Sequence, residues 1–366
     1  MSLVDVYSHA IAQHLSPIGA HLGDPSVSEV LVNGPFDIYV ERAGKLTRVQ
    51  DTFPSEESLV AAITAIAQYA GRFVGPRDPI LEARLPDGSR VEAVLSPASR
   101  VGPCLAIRRF SKDTLTVAKL IRYGALTSDA ADALSLLVEF KQNVLVAGGT
   151  GSGKTSLLNA LSSFIPSDER VVVIEDASEL QLQRPHVVPL EAQQADAKGR
   201  GRVSIGDLFR ATLRMRPDRI VVGEIRGAEA LDLVQAMSSG HGGCMSTLHA
   251  TYPLDALHRL ETMALMSSTE IPFAALRAQI ASAVDVIVQV GRMRDGSRRV
   301  THIVDVSHGP DGYTLTPLFV TRARAGGHTA VAGMELAATG AMPRCAQHVA
   351  DAGRRFPEAM YAEKSP

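Results

Sequence analysis

Cysteine is scarce in this chain: three in 366 residues, Cys104, Cys244 and Cys345, with no CxxC pair among them. That scarcity argues against a disulfide framework or a zinc module and suits a reducing cytosol. An excess of charge of one sign is also missing. Lys plus Arg is 37 and Asp plus Glu is 39, for a net charge of -2. With no basic, aromatic-lined face in the pattern, the balance offers no electrostatic case for direct contact with nucleic acid. No apolar run approaches the roughly 20 residues needed to span a bilayer, so no transmembrane segment is expected. The opening "MSLVDVYSHAIAQHLSPIGA" lacks a basic start followed by an apolar core, so no signal peptide is expected either. Work at a membrane would be peripheral.

What is present is a chain 45% hydrophobic, ample for two or three domains. Residues 1–110 read as a small mixed α+β domain. "VSEVLVNG" and "DIYVERAGKL" are short strands, and "SEESLVAAITAIAQYAGR" is a helix with Ser55 at its N-cap. "LEARLPDGSRVEAVL" turns at Asp87-Gly88 as a hairpin, and "CLAIRRF" is a further strand. Residues 111–130 read as a linker. From about 131 to 320 the pattern alternates strands and helices: "NVLVAG", "RVVVIED", "RIVVGEI" and "CMSTLHA" are the strands. Continuous Val/Ile runs of this kind belong to a parallel sheet covered on both faces. "ASAVDVIVQVGRMRDGSRRVTHIVDV" closes the domain with two strands around Asp295-Gly296. Residues 321–366, rich in Ala, Gly and Thr, carry little periodicity and are expected to form a weakly structured tail.

The chemistry starts at "GGTGSGKT", residues 148–155, which fits GxxxxGK[ST] between a strand and a helix. Gly148, Gly149, Thr150, Gly151, Ser152 and Gly153 form a curl whose N–H groups point at phosphate oxygens. The following helix, with Ser156 in its first turn, adds its positive end. Lys154 is expected to reach the β- and γ-phosphates, and the Thr155 hydroxyl to hold Mg²⁺. ATP and Mg²⁺ are the implied cofactors. Glu175, with Asp176 and Glu179 after it, follows one buried strand, and Glu224 follows another. A carboxylate there can hold Mg²⁺, directly or through water, or orient the attacking water.

"SSGHGGCMSTLHA" carries His241 and His249 across a Gly-rich turn. Their spacing matches no compact metal motif, so a γ-phosphate sensor is favoured over a metal ligand. Arg84, Arg90, Arg108 and Arg109 lie on strands of the first domain, and Arg214, Arg216 and Arg219 beside the second acidic strand. Several are ordinary surface charges; one or two are candidates to reach a γ-phosphate at a cleft.

"IEDASELQLQRPHVV", "LRMRPDRIVVGEIRGAEALDLVQAMSSGHGGCMSTLHA", "DALHRLETM" and "QIASAVDVIVQVGRMRDGSRRVTHI" closely resemble the type II/type IV secretion ATPase superfamily. Within it, together with "LGDPSVSEVLVNGPFDIYVERAGKL" and "EARLPDGSRVEAV", they are most similar to the CpaF/TadA branch, which powers tight-adherence (Flp) pilus assembly. The resemblance implies a RecA-like P-loop ATPase domain behind a smaller N-terminal domain, assembled as a homo-hexamer. It implies a motor at the cytosolic face of the inner membrane, passing its motion to platform proteins. Glu175 and its neighbours match the family's Asp box, Glu224 its Walker B box, and His241 with His249 its His box. Arg90 and Arg108 match N-terminal-domain arginines that contact the γ-phosphate in relatives. The tetracysteine zinc insertion of type II relatives and the N-terminal extension of many pilus members do not appear. A conjugative type IV secretion ATPase is the alternative within the family, and a DNA translocase or recombinase the alternative outside it.

Overall fold

The computed structural model describes residues 3–42, 44–109, 115–193, 195, 199–309, 312–323 and 333–361. It divides into two compact units, Met1–Asp113 with Ala195–Arg200, and Thr114–Gln194 with Gly201–Pro366. No helix among the described residues is long and apolar enough to cross a membrane. The first residues of the expected linker, 111–114, lie outside the described ones.

The first unit is built on strands β1 (Val27–Asn33), β2 (Ile38–Arg42), β3 (Lys45–Arg48), β4 (Ile80–Arg84), β5 (Arg90–Val94) and β6 (Cys104–Arg108). They pair antiparallel in the order β3-β2-β1-β6-β5-β4. Alternate residues such as Val30, Val32, Val40, Val91 and Ile107 are buried on one face, as a period of two requires. Helices α1 (Leu3–His14), α2 (Ser16–Gly23) and α3 (Glu56–Tyr69) complete the unit. Ser55 caps α3: its hydroxyl accepts the Ser58 N–H, and the Ser58 hydroxyl accepts the Ser55 N–H. Leu59, Ala62, Ile63 and Ile66 recur every three or four residues and form its buried stripe.

The second unit carries β7 (Val144–Gly148), β8 (Val171–Glu175), β9 (Val187–Glu191), β10 (Arg219–Val222), β11 (Met245–His249), β12 (Val286–Arg292), β13 (Arg298–Gly309), β14 (Gly312–Ala323) and β15 (Met334–Ala338). Their order is β15-β14-β13-β12-β7-β11-β10-β8-β9, parallel from β12 to β9 and antiparallel from β12 to β15. Every residue of β7, β8 and β10 is buried, the expected result for strands covered on both faces. Helices α4 (Val117–Arg122), α5 (Ser128–Glu139) and α6 (Lys154–Leu161) place Leu120, Leu134, Leu137, Leu157 and Leu158 in one core. Helices α7 (Ile205–Thr212), α8 (Glu229–Ser238), α9 (Pro253–Ala264) and α10 (Phe273–Ala283) place Phe209, Leu233, Leu257 and Ile280 in the other. Because β7, β8, β10 and β11 run the same way, the segments following them leave one edge of the sheet together.

The stretch from 321 departs from a weakly structured tail. β14 runs to Ala323, β15 adds an outer strand, and helix α11 (Ala346–Asp351) follows. Val349, Phe356 and Met360 are buried in the core that holds Leu134 and Leu137. Widely spaced apolar residues docking on an existing face need no periodicity of their own, so composition hides them. Arg344 ties the stretch down: its Nε donates to Asp305 at 3.1 Å and a terminal amino group to Asp285 at 3.2 Å. Burial pushes both carboxyls up, and the Arg344 charge opposes that. Phe356→Ala is expected to cost about 3–5 kcal/mol, as for other buried aromatics, measured by denaturant unfolding of the full chain.

Candidate active site

β7 delivers the phosphate loop from the middle of the sheet, with Gly148 opposite His249 of β11 and Val290 of β12. A Cβ on Gly148 would stand 2.5 Å from the Ser152 hydroxyl and 2.6 Å from the Val290 carbonyl, so this position needs glycine. Gly151 and Gly153 hold φ of 68° and 93°, a region side chains disfavour. Gly149, Thr150 and Gly151 form the exposed crest, while Ser152 is buried and donates to the Gly149 carbonyl at 2.8 Å. α6 begins at Lys154, so the first-turn N–H groups of Lys154, Thr155 and Ser156 lack intrahelical acceptors and are available to an anion. Thr155 is half-buried and Ser156 exposed.

Lys154 is only 7% exposed. Its ammonium donates to the Gly149 carbonyl at 3.3 Å and lies 3.3 Å from His249 Nδ1. Burial lowers its pKa, and the charge of Glu224 opposes that shift. Glu224 sits two residues past β10, on a segment pinned by the Ile225 N–H to the Thr247 carbonyl (2.9 Å) and by the Thr247 hydroxyl to the Gly223 carbonyl (2.7 Å). Glu224 Oε2 accepts two N–H groups of Arg226, at 3.0 and 2.7 Å. Oε1 lies 2.7 Å from His249 Nε2 but off the line of a hydrogen bond, which leaves it buried with no donor among the described residues. Burial first, and then the Lys154 charge, lower the pKa of His249, while Glu224 raises it. The lowered value favours a neutral ring near pH 7.

Glu175, at the end of β8, is buried and accepts the N–H groups of Glu179 and Leu180, both at 2.9 Å. Its side chain occupies the space beside Gly223, where a Cβ would approach to 2.9 Å. It therefore holds the turn carrying Glu179, whose charge acts on Lys154 and on Arg226. Burial pushes the Glu175 carboxyl up to about 7, against those two backbone donors. A folded-state pKa above the unfolded value means that stability falls as pH rises from about 4.5 to about 7. Glu175→Gln is expected to remove on the order of 2–3 kcal/mol of that fall, read as a difference in urea-unfolding free energy between pH 5 and pH 8.

His241 does not join this group. It lies four residues before β11, near the turn where Cys244 donates to its carbonyl, at the amino-terminal edge of the sheet. β11 crosses the sheet between the two histidines, so the spacing that looked like a turn spans the domain. Arg219 is also structural: it is fully buried, paired with Glu169, and donates to the Val138 carbonyl at 2.7 Å.

Three further residues stand at the site. Arg226 had a legible signal, since i and i+2 of an extended segment share a face with Glu224. Gln289 on β12 is buried and donates to the carbonyls of Ala250 and Thr251, just after His249, both at 3.1 Å. Arg298 on β13 donates through Nε to the Gly151 carbonyl at 2.9 Å. Only the strand order, with β12 beside β7, brings these two here.

In the first unit, Arg84, Arg90 and Arg108 stand directly opposite one another across β4, β5 and β6, on the face away from the core. Arg90 lies 3.8 Å from Glu82, a loose pair. Arg109 is committed elsewhere, donating to the carbonyls of Asp24 and Val27.

The family model described as type II/IV secretion system protein matches residues 12–355 of this chain. The chain belongs to that family. This secretion-family chain is 38% identical over 296 residues to a putative conjugal transfer protein of Mycobacterium tuberculosis, covering 78% of itself and 84% of that protein. It is 36% identical over 319 residues to the type IV secretion system protein PtlH of Bordetella pertussis, covering 80% and 93%. Among solved structures, the ATPase DotB of Yersinia pseudotuberculosis shares the fold, with a TM-score of 0.56 at 16% identity over 85% of this chain and 81% of that one. With an intact phosphate loop on this family's sheet, the secretion-family chain binds nucleotide and is an ATPase.

Proposed function

We propose that this chain is a homo-hexameric motor ATPase that drives assembly of a tight-adherence (Flp) pilus through platform proteins at the cytosolic face of the inner membrane. One observation carries the ATP-hydrolysing part of the reading. Lys154, His249 and Glu224 converge where β7, β11 and β10 end, with the buried Glu224 Oε1 lacking a donor among the described residues. Thr155 and Glu224 suit Mg²⁺, which takes one or two protein oxygens and otherwise phosphate and water. When bound, Mg²⁺ would offset charge on the phosphate oxygens. Lys154 and the loop amides bind and orient the phosphates, Glu224 orients the attacking water or the metal, and His249 senses the γ-phosphate through its contacts with both. Glu175 acts by positioning Glu179. Arg84, Arg90 and Arg108 form a row in which Arg108 also faces Glu29 and Arg90 approaches Glu82, so acidic neighbours offset part of the like charge. Arg90 and Arg108 are candidate phosphate contacts on the family resemblance alone.

The tight-adherence assignment rests on resemblance in the first hundred residues and in the boxes of the second unit. The conjugal transfer and type IV secretion relatives favour a second reading, a conjugative type IV secretion ATPase. Purified chain is to be assayed for ATP turnover with a detergent-solubilised tight-adherence platform protein, with the membrane components of a type IV secretion channel, and with DNA. Stimulation by the platform protein supports the pilus reading, and stimulation by the channel components replaces it with export. Strong stimulation by DNA alone overturns both.

A further inference from the structure

We propose that Arg298 is a nucleotide-binding residue: its Nε fixes the outer carbonyl of the phosphate loop, and its terminal amino groups take a phosphate oxygen of the bound nucleotide. The inference rests on the ATP site described above and extends it to the β12–β13 hairpin.

The placement follows from the sheet. β12 runs parallel to β7 with Val290 opposite Gly148, so the hairpin rises on the same edge as the loop. The turn is fixed by the Ser297 N–H and hydroxyl on Asp295, at 2.9 and 2.6 Å, and Arg298 begins the returning strand opposite Arg292. Its Nε reaches the Gly151 carbonyl at 2.9 Å, and its Cδ lies 3.2 Å from where a Cβ on Gly153 would stand. The side chain therefore crosses the rim of the cradle beside its two left-handed glycines, Gly151 and Gly153. Gln289 anchors the same hairpin to the residues following His249.

The chemistry points to an anion. A guanidinium has five N–H donors, and the Gly151 carbonyl occupies one. Arg226, Arg277 and Arg344 in the same unit are each paired with a carboxylate. Among the described residues Arg298 has no carboxylate partner, although it is an exposed cation held against a loop built for a polyanion. The planar fork suits two phosphate oxygens at once. The loop holds the α- and β-phosphates of ATP and ADP alike, so the contact serves both nucleotides and acts on affinity.

MgATP and MgADP binding are to be titrated, with steady-state turnover, for Arg298→Ala, Arg298→Gln, Arg298→Lys and Lys154→Ala in the full chain. Loss of one charge-assisted contact is expected to weaken both nucleotides about ten- to thirtyfold in the Ala and Gln variants. The loss is to fall on KM rather than kcat, with Lys recovering part of it through its charge. A phosphate contact orders the variants Lys above Gln, whereas a brace for the loop alone leaves them equal. Unchanged affinity for both nucleotides, equal Lys and Gln variants, or a fall in kcat at unchanged KM each overturns the assignment. Wild-type binding by Lys154→Ala would instead overturn the nucleotide site itself. Loss in Lys154→Ala with no change in Arg298→Ala removes Arg298 and leaves the site standing.

Discussion

Lys154→Ala abolishes measurable MgATP binding and lowers turnover by on the order of a hundred- to thousandfold. The expectation follows from where the ammonium sits. It is nearly buried, held by the Gly149 carbonyl, beside His249 and within the field of Glu224 and Glu179. Burial works against its charge in the absence of nucleotide, so removing it relieves a desolvation cost in the empty site. The nucleotide-free variant therefore keeps its unfolding midpoint but loses the rise that ATP gives the parent chain. Thermal unfolding with and without MgATP, alongside phosphate-release kinetics, reads both effects. A variant that still gains stability from ATP would remove Lys154 from the site.

Glu224→Gln separates binding from chemistry. The amide keeps the shape that fits between Arg226 and His249 but loses the charge that pairs with Arg226 and supports Lys154. Affinity for MgATP is expected to stay within a fewfold of the parent, and turnover to fall on the order of a hundred- to thousandfold, because the lost carboxylate acts in the transition state. Equilibrium binding and single-turnover hydrolysis on the same preparation measure the two. Rapid hydrolysis by this variant would end the role given to Glu224.

Those two residues were legible because their signals are local. The phosphate loop is a contiguous string, and its glycines are required by a close approach at Gly148 and by positive φ at Gly151 and Gly153. Glu224 follows a run of buried residues, and such a run in a parallel sheet ends at the ligand edge. His249 was legible for the same reason, being the last residue of β11. His241, the weaker of the two candidates in the string, is carried to the far edge by the strand between them. Glu175 was correctly placed at a strand end, yet its burial and its two backbone donors give it the work of holding Glu179.

Sequence alone determined the elements with strong periodicity, the nucleotide grip and the family. The first two are encoded by neighbours within about one turn or one strand, where backbone geometry imposes the pattern, and the family by several such local strings occurring in order. Tertiary structure alone decided three other things. It folded the apolar residues near the C-terminus into the core, each docking singly on an existing surface. It set Arg84, Arg90 and Arg108 in one row, a matter of strand register. It brought Gln289 and Arg298 to the phosphate loop from more than a hundred positions away, because β12 lies beside β7. Pairing between distant strands depends on which faces remain to be covered once the sheet assembles, and no short stretch of sequence carries that information.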